Sequence, residues 1–114
     1  MEINNMTNQV VTKDFFIATI NIIAENTSFN YSTLAINGLK EQLSEDFKFS
    51  KSIRIKGRNV EVDRSINSVS KNELKKFFKK IVNLIGPNYL KILLAQRLNP
   101  RALDYLEYLG IKFG

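Results

Sequence analysis

The segment from Val69 to Pro87 constrains the fold most, because its start, its apolar face and its end can all be read from the residues. Ser70 and Glu73 form an S-x-x-E capping box, in which the serine hydroxyl accepts from the amide three residues later. Gly86 and Pro87 end the helix, because Gly favours the left-handed conformation and Pro cannot continue a helix. Lysines lie opposite an apolar stripe at helical spacing: Leu74, Phe77, Phe78, Ile81, Val82, Leu84 and Ile85. This pattern predicts an amphipathic helix around which we expect the other elements to be arranged.

Composition excludes several classes of functional site. The 114-residue chain contains no Cys and no His, which removes disulfides, thiolate metal sites, histidine-based triads and the usual zinc ligand sets. No pair among its Asp, Glu, Lys, Ser and Tyr residues has a spacing that implies an arranged catalytic site. No apolar run approaches the roughly 20 residues that a membrane span needs. We therefore predict a cytoplasmic protein that is not an enzyme, with no catalytic residue, no cofactor and no metal site.

The N-terminal part predicts two helices after a flexible segment. Residues 1–11 are polar and Asn-rich, which indicates a flexible arm, and residues 12–114 form a single domain. Thr12 is placed to cap the first helix, and the second helix begins near Asn30 or Ser32. Gly38 lies inside the second helix, where Gly costs about 1 kcal/mol relative to Ala. Its position suggests a close approach to the first helix.

A change to period-two alternation over about 52–63 predicts a β-hairpin. Gly57 and Arg58 fit a two-residue type II′ turn, which favours Gly first. That turn fixes a register with three pairs: Ile53 with Val62, Arg54 with Glu61, and Ile55 with Val60. The pairing of Arg54 with Glu61 is a cross-strand ion pair, which supports the register. Phe47 and Phe49 continue the alternation and predict an extension of the first strand.

The C-terminal third predicts two more helices. Pro87 suits the first position of a helix, whose apolar stripe is Leu90, Leu93, Leu94 and Leu98. Asn99 caps a last helix, and Gly110 with Ile111 fits a Schellman ending. The predicted fold class is therefore α+β: two N-terminal helices, a β-hairpin at about 52–63 and three C-terminal helices, packed as one compact domain.

The net charge of +6 is distributed unevenly along the chain. The first 46 residues carry two lysines and six acidic residues, whereas the remaining residues carry 15 basic and five acidic residues. Such polarity favours an acidic protein partner or an antiparallel self-association that joins unlike ends, giving a homodimer. The alternative is that both signs are simply solvated surface that keeps the domain in solution.

Basic residues of the hairpin tip and of helix 71–85 form the candidate binding surface for a partner or for phosphate. They are Arg54, Lys56, Arg58, Lys75, Lys76, Lys79 and Lys80. Our principal hypothesis is a non-enzymatic protein-interaction or regulatory module. The alternative is a nucleic-acid-binding domain, because the helix–helix–hairpin order resembles part of a winged helix, whose wing carries basic residues. Only two helices precede this hairpin, however, and the second ends in acidic residues, which would be repelled by a phosphate backbone.

Overall fold

The computed structural model describes residues 6–85 and 88–113. It confirms the predicted α+β fold, with two N-terminal helices, an antiparallel hairpin and three C-terminal helices. The helices and strands are α1 (Asn8–Glu25), α2 (Phe29–Leu43), β1 (Ile53–Lys56), β2 (Asn59–Val62), α3 (Lys71–Leu84), α4 (Asn88–Arg97) and α5 (Pro100–Tyr108). Two 3₁₀ turns, Lys48–Ser52 and Arg64–Ser68, flank the hairpin. No helix in these described ranges is both long enough and apolar enough to cross a membrane.

The central element is α1, not α3 as the sequence pattern suggested. α1 packs against α2, β2, α4 and α5, and against the 3₁₀ turn that precedes α3. Its buried residues lie on several sides of the helix: Asn8, Val11, Thr12, Phe15, Phe16, Ala18, Thr19, Ile20 and Ile22. A helix enclosed in this way has no strong amphipathic pattern. The marked amphipathicity of α3 indicates an outer helix with one buried face, which is a peripheral position.

The predicted start of the first helix was wrong. Thr7, not Thr12, is the N-cap, and its hydroxyl accepts from the amide of Val10 at 3.2 Å. Thr12 is fully buried inside α1. Residues 8–11 of the predicted arm therefore belong to the helix, where Asn8 and Val11 are buried; residues 1–5 lie outside the described residues. The polar composition of this segment predicted a flexible arm. The polar side chain of Asn8 instead forms hydrogen bonds inside the protein.

The hairpin has the predicted register, with Ile53, Arg54 and Ile55 opposite Val62, Glu61 and Val60. The turn consists of Gly57 and Arg58, and Gly57 has a φ of +58°, which favours Gly. The four apolar residues of the two strands are buried. β1 contacts α2 and β2 contacts α1. Since an isolated hairpin is marginally stable in water, these contacts hold it in place.

Phe47 and Phe49 do not extend β1, because the chain forms the 3₁₀ turn Lys48–Ser52 at that point. Their rings instead lie 5.4 Å and 4.9 Å from the ring of Phe77 in α3. The alternating pattern that predicted a strand therefore has another cause. Both phenylalanine rings pack in an aromatic cluster with Phe77. The second helix also starts slightly earlier than predicted, with Ser28 as its N-cap.

α3 has the predicted N-cap, and the Ser70 hydroxyl accepts from the amide of Glu73 at 3.1 Å. Its core residues are Leu74, Phe77, Phe78, Ile81 and Val82. Leu84, predicted to be part of the stripe, is instead exposed. The predicted stop at Gly86 and the helix start at Pro87 lie outside the described residues.

The C-terminal helices follow the prediction in outline. Leu94 in α4 and Leu98 just after it are buried, whereas Leu90 and Leu93 of α4 are only half-buried. The Asn99 side chain caps α5 by accepting from the amide of Arg101. The Schellman ending is confirmed: the amides of Ile111 and Gly110 donate to the carbonyls of Leu106 and Glu107. Residues 111–113 do not form a strand, and Phe113 is buried against the core.

Candidate interaction surfaces

The basic residues of the hairpin contact the hairpin itself and the start of α2. The Arg54 guanidinium lies 3.7 Å from the Glu61 carboxylate on the neighbouring strand. The Arg58 guanidinium lies 4.1 Å from the centre of the Phe29 ring, in a cation–π arrangement. Lys56 is exposed at the end of β1. Two of these three cations therefore already have partners within the protein.

The four predicted lysines of α3 have different surroundings. The Lys80 ammonium is 3.1 Å from the Asp46 carboxylate, and this pair joins the end of the α2 segment to α3. Lys76 and Lys79 are exposed, and Lys75 is half-buried. Within the described residues, no residue makes an ion pair, hydrogen bond or ring contact with both groups of basic residues. The basic residues of the hairpin and the lysines of α3 therefore contact different parts of the protein.

Three lysines converge beside the C-terminal turn that follows α5. The Cε and Nζ atoms of Lys75 lie so close to Gly110 that each would be 3.1 Å from a Cβ at that position. Lys79 and Lys112 line a shallow cavity of about 220 Å³. Its other lining residues are Val82, Asn83, Gly110 and Ile111. We call Lys75, Lys79 and Lys112 the lysine cluster.

Local rules of chain geometry explain the cluster. Lys75 and Lys79 are four residues apart and therefore share one face of α3. At the other side, Ile111 and Phe113 are buried while Lys112 between them is exposed. Gly110 has a φ of +98°, which lets the chain reverse at the end of α5. Lys75 also lies beside that helix end, where carbonyl groups favour a nearby cation.

The sequence did not identify Lys112 as a site residue. Predicting that Lys112 belongs to the cluster requires knowing that the chain folds back onto α3 after Gly110. The Schellman pattern and the alternation of Ile111, Lys112 and Phe113 are the signals that could have indicated it. In the described part of the chain, none of the three cluster lysines has an ion-pair partner. Among the described residues, no carboxylate would have to be displaced for an anionic group to approach these lysines.

An aromatic side chain lies close to another lysine of α3. The Lys71 ammonium is 5.2 Å from the centre of the Tyr108 ring, and Tyr108 is exposed. Tyr105, three residues before Tyr108 in α5, is buried. The outer surface of α3 and α5 therefore combines positive charge with one exposed aromatic ring.

A second surface is the outer face of α2, where Tyr31 and Leu34 are 58% and 73% exposed. Ala35 and Gly38 are also exposed on this helix. Among the described residues, no heavy atom would lie within 4 Å of a Cβ at Gly38, so the predicted contact of Gly38 with the first helix was wrong. The close approach is made by Ser32, whose hydroxyl donates to the Ile20 carbonyl at 2.7 Å.

Shifts of pKa in the described residues have structural causes. The hydrogen bond from Arg97 lowers the pKa of Glu25, and the Ser65 amide lowers the pKa of Asp63. Burial lowers the pKa of Lys40 and raises the pKa of Tyr105. Among residues 6–85 and 88–113, no three acidic side chains are grouped so that they could hold a metal ion.

Comparisons with protein-family models, with curated proteins and with solved structures find no match to this chain.

Proposed function

We propose that the protein is a non-enzymatic interaction module that binds an acidic segment of a partner protein through the lysine cluster. The observation that supports this proposal is the convergence of Lys75, Lys79 and Lys112 beside Gly110. Ammonium groups attract carboxylates, and the positive charges of neighbouring lysines repel one another. An anionic partner that neutralises this repulsion is therefore bound more favourably than a neutral one.

The surroundings of the cluster favour a protein partner over a bare phosphate backbone. Val82 and Ile111 contribute apolar atoms to the cavity wall, and the exposed Tyr108 ring lies beside Lys71. Protein interfaces are enriched in aromatic residues and combine an apolar core with a polar, solvent-accessible rim. We therefore expect the bound segment to carry carboxylates together with at least one apolar side chain.

Nucleic-acid binding is the second candidate, supported by the 11 basic and three acidic residues between Lys48 and Lys80. A phosphate backbone would need the hairpin cations and the α3 lysines to act together. Arg54 and Lys80 are engaged with Glu61 and Asp46, which reduces the charge available for phosphate contacts. This is the reason that we place nucleic acid second.

Fluorescence anisotropy with two labelled probes tests the proposal. One probe is a Glu-rich peptide with a central Phe, and the other is a DNA duplex of about 20 base pairs. The test variant is Lys79→Glu with Lys112→Glu, and its control is Lys51→Glu with Lys56→Glu, which changes the net charge equally. We expect the test variant to weaken peptide binding by about tenfold or more, which is about 1.4 kcal/mol, and the control to change it less than about twofold.

Two results would contradict the proposal. An equal loss in both variants would indicate a general charge effect without a site. Tighter binding of DNA than of peptide, with log K falling by about 0.9 per phosphate contact against log salt concentration, would favour the nucleic-acid alternative. The cytoplasmic location stays a prediction from the sequence, and a fluorescent fusion imaged in cells would test it.

A further inference from the structure

The outer face of α2 carries large apolar side chains that the described part of the chain leaves uncovered. Leu34 is 73% exposed, and Tyr31 lies three residues before it, on the same face of the helix. Gly38 lies four residues after Leu34 on that face, with open space where a side chain would be. The opposite face of α2 contains the buried residues Ser32, Ile36 and Leu43.

We infer that this face binds the same face of a second copy of the chain, so that two α2 helices pack antiparallel about a twofold axis. In a twofold interface, each surface feature must match a feature elsewhere on the same surface. The Leu34 side chain protrudes from the helix surface, whereas Gly38 has no side chain and leaves a gap in that surface. An antiparallel register can place Leu34 of each subunit against Gly38 of the partner subunit. The twofold axis then produces this match twice in the interface.

The same register places Tyr31 beside Glu41 of the partner subunit. The Tyr31 hydroxyl can then donate to that carboxylate across the interface. Gly inside a helix costs about 1 kcal/mol relative to Ala, and no described part of its own subunit approaches Gly38 closely enough to require it. Close approach of a partner helix supplies a reason for Gly at this position.

Charge at the two ends of α2 favours antiparallel over parallel packing. The first turn of α2 has no acidic residue, and the amino end of a helix carries a partial positive charge. The other end of the helix carries half-buried Lys40 together with exposed Glu41. Exposed Glu45 lies just beyond it, so acidic charge exceeds basic charge at this end. Antiparallel packing joins the acidic end to the positive end of the partner helix, whereas parallel packing would place the acidic ends together.

The contact is expected to be weak because α2 is short. Its 15 residues span about 22 Å at 1.5 Å per residue. A single pair of such helices buries less than the roughly 1,600 Å² of a standard stable interface. We therefore expect a dissociation constant above about 1 µM, so that the dimer forms at high protein concentration.

Sedimentation equilibrium between about 10 and 500 µM protein tests the association with two matched variants. Leu34→Asp changes the exposed leucine of α2, and Ile92→Asp changes an exposed aliphatic residue of α4. The parent chain and Ile92→Asp are expected to approach the dimer mass, whereas Leu34→Asp remains monomeric with an unchanged circular dichroism spectrum. A parent chain that is monomeric throughout, or equal behaviour of the two variants, would overturn the inference.

Disulfide trapping tests the direction of packing, because the chain has no Cys of its own. The variants are Tyr31→Cys and Glu41→Cys, oxidised separately and as a mixture. Only the mixture is expected to crosslink rapidly, since two copies of position 31 would be about 15 Å apart along the axis. Rapid crosslinking of Tyr31→Cys with itself would indicate parallel packing and contradict the antiparallel register. The lysine-cluster variants leave α2 unchanged, so the two proposals fail independently.

Discussion

Replacing Asn8 with Ala removes a buried amide that joins three separate parts of the chain. The Nδ2 atom of Asn8 donates to the carbonyls of Ile66 and Val69, at 3.1 Å and 3.0 Å. Its Oδ1 atom accepts from the Tyr105 hydroxyl at 2.6 Å. The amide therefore connects the start of α1 to the segment before α3 and to α5.

The expected loss of stability follows from this geometry. Each hydrogen bond contributes about 0.5–1.5 kcal/mol net, and a buried group left unpaired costs about 1–3 kcal/mol. Asn8→Ala removes three bonds and leaves the Tyr105 hydroxyl without this acceptor, so we expect a loss of about 2–4 kcal/mol. Tyr105→Phe removes one bond and should cost about 1–2 kcal/mol. Since the two residues are in contact, the double variant should cost less than the sum by about 1 kcal/mol.

Urea unfolding followed by circular dichroism measures these differences. With a slope of about 1–3 kcal/mol per molar urea, a loss of about 2–4 kcal/mol for Asn8→Ala should lower the midpoint by roughly 0.7–4 M. Asn21→Ala is the matched control, because Asn21 is an exposed residue of the same helix; its effect should stay within about 0.5 kcal/mol. A loss below about 0.5 kcal/mol for Asn8→Ala would refute the assignment of Asn8 to the folded core.

Three further predictions concern stability. Phe78 is fully buried, with its ring 4.8 Å from that of Phe15, so Phe78→Ala should cost about 3–5 kcal/mol in the same assay; a cost below about 1 kcal/mol would contradict the packing. The buried Thr12 hydroxyl has no hydrogen-bond partner among the described residues, so Thr12→Val should stabilise the protein by about 1 kcal/mol, and a destabilisation would contradict this. The Ser65 amide lowers the pKa of Asp63, so the charged form stabilises the fold above the ordinary carboxyl pKa, and that stability is lost as the pH falls through the folded-state value. Thermal unfolding should therefore show that Asp63→Asn is less stable than the parent near neutral pH and that this difference shrinks in acid, whereas a difference independent of pH would argue against it.

Elements specified by local chemistry were predicted well from the sequence. The Ser70 cap, the hairpin register and the Schellman ending each depend on residues within a few positions of one another. Turn geometry, capping and side-chain alternation act at that range. For this reason the order of the elements could be derived without knowledge of their packing.

Features that depend on distant contacts were not predictable in the same way. Asn8 is buried because carbonyls 58 and 61 residues away accept from its amide, and no local pattern encodes that. The importance of α1 is concealed because polar Asn8, Thr12 and Thr19 are buried in it while Val10 is exposed, which weakens its amphipathic pattern. The lysine cluster likewise needs Lys112 to return to α3. Gly38 illustrates the opposite error, since its local cost suggested an internal contact that the fold does not make.

The proposed binding surface can be tested most directly by nuclear magnetic resonance. The ¹⁵N-labelled protein is titrated with the Glu-rich peptide, and amide shifts are followed for every assigned residue. The account predicts that the largest changes occur at Lys75, Lys79 and residues 110–112, and that they saturate together. Absence of changes at high peptide concentration, or changes confined to the hairpin tip at residues 56–58, would contradict it.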